Sequence, residues 1–529
     1  MKKIFKYLAI LLPVIWLFSG CTKKFNDINT NPASYNQENF DPNFLLTTAQ
    51  VAYTGSYDFA YDTWRANLIY CSGIIQGFST VLSYWQGDKY KLSASYAAAY
   101  WGFSGDGAYS EQLKPIVDII QSTTDKPQYK NLHEIARIMR ALIVERITDL
   151  YGDAPYSEAG LGYYTKNYFP KYDKQQDIYN DMLKEVSEAV AKLDPAADKP
   201  SGDKIYKGNI DKWKLFGNTL ILRMAMRLTK VDAANAKTWV QKVAGNTMAS
   251  NNDNAFINGD NSGGISTINR NSLVLTGQGG QEPYYVKWTN TFINFLKRNN
   301  DPRLSKIAVT QLYTDENSTV QNPAFITDTA VQKGMPNGKD LSGIADRDIS
   351  SDPSYTTIPA YSSPNPGMIK TNGPTFILTY GESELLLAEA AQTFGIAGDA
   401  AQHYHDGVKA SMTYLVQYDP AMAISDEAAE TYLTAHPYNA ANGLEMINTQ
   451  YWALTNTMLD YYESWANWRR TGYPVLVPVN YPNNVTGGLI PRRFPYPLAE
   501  SNVNPVNYKA ASDAVTGGDN LTGRVWWDK

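Results

Sequence analysis

Few residues in this chain are equipped for chemistry. Its 529 residues include four histidines, His133, His403, His405 and His436, and two cysteines, Cys21 and Cys71. His403 and His405 stand two apart on a helical stretch, so they point in different directions and share no face. No HExxH, GxSxG, P-loop or dinucleotide fingerprint is present. Cys71 falls within the apolar run LIYCSGII and reads as a core residue rather than a nucleophile. Glu145 and Asp149, four apart on one helix, are the carboxylates best spaced for acid–base work. Arg146 lies between them and Arg140 is within reach, which makes a local ion network the simpler reading. Carboxylate pairs for glycoside hydrolysis are assembled by the fold and not by spacing, so that chemistry stays open. Asn and Asp in SNNDNAFINGDNSGG loosely resemble a calcium loop, but the closing Glu of the EF-hand is missing. We therefore expect no catalytic residue, no metal ligand set and no cofactor, with a structural Ca²⁺ left open.

Aromatic residues are the better clue. The chain has 38 Tyr and 12 Trp against 17 Phe, and Tyr and Trp join an apolar face to a polar edge. A sugar ring offers a C–H face that stacks on such side chains, so loops rich in them can hold a glycan without any acid or base. Two loop clusters stand out as candidate binding residues: Tyr84, Trp85 and Tyr90, and Tyr284, Tyr285 and Trp288. The alternative is that they cap the scaffold or meet a protein partner.

The elements that would position these residues are helical. From Leu132 to Leu150 apolar residues recur at three and four, ending at Tyr151-Gly152-Asp153-Ala154-Pro155, where Gly and Pro stop a helix. A helix is expected to start after Asp41-Pro42 and run towards residue 77, and an amphipathic one to cover Gln175 to Leu193. Asn209 or Asp211 can cap WKLFGNTLILRMAMRL, which carries Lys212, Thr219, Arg223 and Arg227 on one polar face. From Gly245 to Pro374 the helical signal fades, leaving Tyr284 to Lys297 and Asp301 to Leu312. So long an irregular stretch is an elaboration on the scaffold. Helices resume at Leu378, with Asp399 as a cap, and a last one runs to about Arg470. Ala388, Ala400, Tyr404 and Gly407 match the small, small, aromatic, small positions of a tetratricopeptide repeat. The expected fold is all-α, a tetratricopeptide-like helix-pair superhelix.

The N-terminus carries an address. Lys2, Lys3 and Lys6 precede an apolar run from Tyr7 to Phe18, then Ser19-Gly20-Cys21, the form of a lipoprotein signal with Cys21 as the lipidated residue. Phe18 departs from the Leu usual there. Twelve apolar residues are too few to span a bilayer. Residues 1–20 are thus read as a signal peptide, 21–40 as a tether and 41–529 as a single domain, with 245–374 as its elaboration. Removing the leader leaves 44 basic and 52 acidic residues, a net charge of −8, which argues against nucleic acid as a partner. Only Cys71 then remains as a thiol, so no internal disulfide is expected.

Six stretches, read together and in order, resemble the SusD/RagB family of lipoproteins, in the SusD-like type 2 branch. They are CTKKFNDINTNP, RIMRALIVERITDLYGDAPYSEA, DKWKLFGNTLILRMAMRL, YGESELLLAEAA, ESWANWRRTGYPVL and IPRRFPYPLAESNVNPVN. The resemblance implies lipid attachment to a Bacteroidetes outer membrane, at the cell surface. It also implies a lid over a SusC-like TonB-dependent transporter and non-enzymatic capture of a nutrient, most often an oligosaccharide. A peptide ligand is the nearest alternative, with a glycoside hydrolase or a purely structural transporter subunit behind it. No ligand position carries over, because these vary between members. Acidic residues often follow the lipidated Cys in surface-exported relatives; here Thr22-Lys23-Lys24 follow, and Asp27 is the first acid.

Overall fold

The central helix forms because its apolar residues repeat at helical spacing with no Gly or Pro between Lys130 and Tyr151. Within it, only Lys130, His133, Arg140 and Arg146 escape full burial. The computed structural model describes residues 40–57, 61–102, 106–264, 266–277 and 280–529. The expected signal peptide, Cys21 and all of the tether before residue 40 lie outside the described residues. Asn43–Lys529 make one contact unit.

The principal helices are α1 (Asn43–Tyr53), α2 (Lys114–Thr123), α3 (Lys130–Tyr151), α4 (Gln175–Lys192), α5 (Ile210–Arg227) and α6 (Ala233–Val243). Beyond these come α7 (Asn290–Arg298), α8 (Tyr380–Phe394), α9 (Ala400–Thr413), α10 (Asp426–Ala435), α11 (Gly443–Met458) and α12 (Tyr461–Thr471). From α2 to α6 each helix packs on the next, α8 to α10 do the same, and α5 against α8 joins the two runs. The architecture is all-α and built of helix pairs. At the tightest pairing, α8 on α9, a Cβ added to Gly407 would lie 3.0 Å from the backbone nitrogen of Leu385. That is the close approach the repeat-like spacing of small residues anticipates.

Several expected boundaries are corrected. The first helix stops at Tyr53, and Asp62–Ser72 follow as a separate segment with π-type winding. The expected helix over Tyr284 to Lys297 is broken by a strand at Lys287–Trp288, because Thr289 caps α7 by accepting from the Phe292 N–H at 3.1 Å. Over Asp301 to Leu312 only Leu304–Ile307 is helical before a strand at Ala308–Val309. The last long helix divides at Leu459, whose φ is 59°, and Asp460 caps α12. The 245–374 stretch is held to the body by short antiparallel pairs, Ala255–Asn258 on Pro374–Leu378 and Phe78–Ser79 on Lys287–Trp288. Ser250–Asp253, in the loosely calcium-like stretch, form instead a capping box leading into that first strand.

The polar face of α5 turns inward. Arg223 pairs with Glu145 at 2.5 Å, and Arg227 pairs with Asp149 at 3.1 Å and with Glu463. Tyr179 and Trp527 both donate to Asp149, at 2.5 and 2.8 Å. This buried network ties α3, α4, α5 and α12 to the C-terminus. The space beside it is about 20 Å³, room for about one water molecule and no substrate. Glu145 and Asp149 are therefore structural, paired with the arginines of α5 rather than with Arg140 and Arg146.

Candidate functional site

The π-wound segment Asp62–Ser72 is fixed from below. Asn67 donates to the Leu459 carbonyl at 2.9 Å and accepts from the Tyr461 N–H at 2.9 Å, bolting the segment to the break between α11 and α12. Asp62 accepts from the N–H groups of Ser56 and Thr63. π-Type winding within helices is frequent at functional sites. Here it leaves Tyr61, Trp64 and Arg65 half-buried while Leu68 to Ser72 enter the core.

Glu282 joins this segment to the two loops that carry the candidate aromatics. It is 2% exposed, and its Oε1 accepts from the Trp64 indole at 2.9 Å, the Tyr84 hydroxyl at 2.7 Å and the Trp85 indole at 3.5 Å. Burial, followed by the negative charge of Glu282, pushes the Tyr84 phenol well above its ordinary value, so it remains a donor. The rings form a row: Tyr61 stacks on Trp64 at 6.3 Å, and Trp64 meets Tyr84 edge-on at 6.3 Å. The Arg65 guanidinium lies 4.0 Å from the centre of the Tyr61 ring and 5.0 Å from that of Tyr96. Tyr284 sits beside this constellation in sequence, two residues after Glu282, with its ring edge-on to Tyr285 at 4.8 Å.

Of the six candidate aromatics, Tyr84 and Tyr284 are half-buried and keep some ring surface open. Trp288 is corrected to a core residue. It is 0% exposed, packed between Phe78 and Phe292, and its indole donates to the Ile307 carbonyl at 3.0 Å. Tyr90 is buried with its hydroxyl accepting from the Val479 N–H. Trp85 and Tyr285 are buried too, Trp85 on Glu282 and Tyr285 donating to Glu316. A ring with no open face stacks on no sugar, so these four are packing residues, and of them only Trp85 reaches Glu282. The sequence singles out neither Trp64 nor Arg65, because the run TWRANLIYCS reads as a plain buried helix, and Tyr61 and Tyr96 are not among the candidates either. Nor does it single out Glu282, one residue before the Pro283 that precedes the Tyr pair. Tyr163, Tyr168 and Phe169 form a second exposed aromatic loop.

Cys71 is fully buried, and burial raises its thiol well above the ordinary value. His403 is engaged by Glu384 at 2.5 Å. Among the described residues no cluster of three or more His, Cys, Asp or Glu could hold a metal ion, and no helix is long and apolar enough to cross a membrane.

The described residues thus form a helix-pair scaffold carrying a row of half-buried aromatic rings set on a buried carboxylate. A family profile described as starch-binding and associating with the outer membrane matches residues 35–497. The chain belongs to this SusD-like family, a family of outer-membrane-associated binding proteins. A solved chitin-binding protein is 33% identical, with a TM-score of 0.79, over 92% of this chain and 100% of that one. A Bacteroidetes AC2a SusD-like protein is 25% identical, with a TM-score of 0.79, over 93% of this chain and 100% of its own. A SusD homologue from Bacteroides uniformis shares the fold at 22% identity and a TM-score of 0.72, over 92% and 98% of the two chains. No protein of curated function matches the sequence.

Proposed function

We propose that this chain is a non-catalytic, oligosaccharide-binding lipoprotein. Cys21 carries the lipid that holds it at the outer membrane, exposed at the cell surface, and it passes ligand to a SusC-like TonB-dependent transporter. The observation that carries the binding role is the half-open row Tyr61, Trp64 and Tyr84, locked from beneath by Glu282. Three partly open rings in a row suit the repeating faces of a sugar chain, and the family's starch-binding description agrees with that use. The relative that binds chitin, 33% identical along nearly the whole chain, favours a glycan over a peptide. Stacking beyond simple burial is worth about 1 kcal/mol per ring, and micromolar affinity needs about 8 kcal/mol in all. A modest affinity is expected.

Calorimetric titration with malto-, cello- and N-acetylglucosamine oligomers tests the binding role. Saturable binding of at least one series without release of shorter products supports it. Capture of peptides alone would replace the glycan with a peptide, and steady product release would make the protein a hydrolase. Loss of membrane association in Cys21→Ser, and co-purification with a transporter, test the anchor and the partner.

A further inference from the structure

Arg65 is a cation in search of an acceptor. Among the described residues it makes no hydrogen bond and no ion pair, and its Nε is buried without a partner. Its guanidinium is held between the rings of Tyr61 and Tyr96, at 4.0 and 5.0 Å from their centres. Cation–π contact fixes its position but satisfies none of its N–H donors. Burying part of a guanidinium with its donors unmade is costly unless something else fills them. At the other end of the same row stands Glu282, nine-tenths or more buried, with Oε1 taken by three ring donors and Oε2 without a hydrogen-bond donor among the described residues. Trp64 links the two ends, since it precedes Arg65 in the chain and donates to Glu282.

We propose that Arg65 is the specificity-determining residue of this platform and selects sugars bearing a neutral acetamido group. The proposal rests on the oligosaccharide-binding reading above and names its ligand class. Three points of chemistry lead to it. An unpartnered guanidinium wants a strong acceptor, and an amide carbonyl is a stronger one than a sugar hydroxyl. An anionic sugar would satisfy Arg65 but would also meet the negative charge of Glu282. The acetamido group is neutral and presents its C=O as an acceptor to the guanidinium. No bond is made or broken. The selection is by hydrogen bonding and charge alone.

The test uses oligomers that share one β-1,4-linked backbone and differ at the sugar C2 substituent. These are cello-oligomers with a hydroxyl, N-acetylglucosamine oligomers with an acetamide, and their deacetylated forms with an ammonium. An oligogalacturonide supplies the anionic arm. On the wild-type chain, calorimetry should rank the acetamido oligomer about tenfold or more tighter than the cello-oligomer, with the deacetylated form weaker because of Arg65. In Arg65→Met this preference should collapse, and Arg65→Lys should restore part of it. Melting curves of both variants check that the fold is kept. A preference unchanged in Arg65→Met, or tighter binding of the oligogalacturonide, overturns the assignment. Loss of all binding in Trp64→Ala together with an unchanged preference in Arg65→Met refutes Arg65 alone. Unchanged binding in Trp64→Ala refutes the platform itself.

Discussion

The indole N–H of Trp64 donates to the carboxylate of Glu282 at 2.9 Å across 218 positions of sequence. The same oxygen receives Tyr84 at 2.7 Å, so one buried acid sets the angle of two rings that belong to different segments. This is how an irregular elaboration and a helical scaffold combine into one surface.

Replacing that acid separates shape from charge. Glu282→Ala should leave Trp64, Tyr84 and Trp85 without their acceptor, costing about 1–3 kcal/mol of stability and loosening the ring row, with a fall in glycan affinity. Glu282→Gln keeps an acceptor oxygen and should lose less of both. Denaturant unfolding and calorimetric titration of the two variants, side by side, check the order.

Lys287 contributes a pH dependence of known sign. Its ammonium is fully buried, donates to the Ser363 hydroxyl at 2.7 Å, and burial lowers its pKa from 10.5 to about 7. Between these two values the unfolded chain holds the proton that the folded chain has released. Stability from this group therefore rises as pH climbs from about 7 to 10.5, and the penalty is fully present below pH 7. Lys287→Met should stabilise the protein, by an amount on the order of a few kcal/mol near neutrality, and flatten that part of the curve. Unfolding of both chains at pH 6, 8 and 10 measures it.

Glu382 works in the opposite sense. It is completely buried at the first turn of α8, where it accepts from the Thr379 N–H, and burial lifts its carboxyl from 4.5 to about 8. The folded chain then binds the extra proton between those values, so this contribution is complete below about pH 4.5 and is lost as pH rises through 8. Glu382→Gln, which imitates the protonated acid, should gain on the wild type as pH increases from 5 to 8.5. A stability difference independent of pH would contradict this.

Helix packing distinguishes two glycines. A Cβ at Gly407 would press on the backbone of Leu385 at 3.0 Å, whereas one at Gly217 would meet the terminal methyl of Val190 at 2.3 Å. Backbone yields less readily than a side-chain methyl. Gly407→Ala should cost about 1–3 kcal/mol and Gly217→Ala less, despite its shorter contact. Thermal unfolding of the pair decides.

The scaffold was legible in the sequence where the forces are local. The three-and-four spacing of Leu132 to Leu150, the Gly152 stop and the Asn209 and Asp399 caps appear as expected, since each depends on neighbours within a turn or two. The small residues that let α8 and α9 approach were also readable, because tight packing leaves few choices at Gly407. The candidate site was legible only in part. Tyr84 and Tyr284 keep some ring surface open, whereas Trp288 and Tyr90 are buried. Trp288 packs on Phe78, 210 residues away, as well as on nearby Phe292, and Tyr90 meets Val479, 389 residues away. Arg223 and Arg227 misled in the reverse direction. They read as part of one polar face, yet that face turns inward, where buried Glu145, Asp149 and Glu463 from two other helices neutralise them. Trp64 and Arg65 sat unnoticed in an apolar run because only π-type winding leaves them half-open.

The central claim is that the row Tyr61, Trp64 and Tyr84 is where the ligand is held. The most direct measurement is calorimetric titration of wild type and Trp64→Ala with the oligosaccharide that wild type binds, alongside melting curves of both. The account predicts at least a tenfold loss of affinity, about 1.4 kcal/mol or more, with the helical fold intact. Affinity equal to wild type in a folded Trp64→Ala would contradict it.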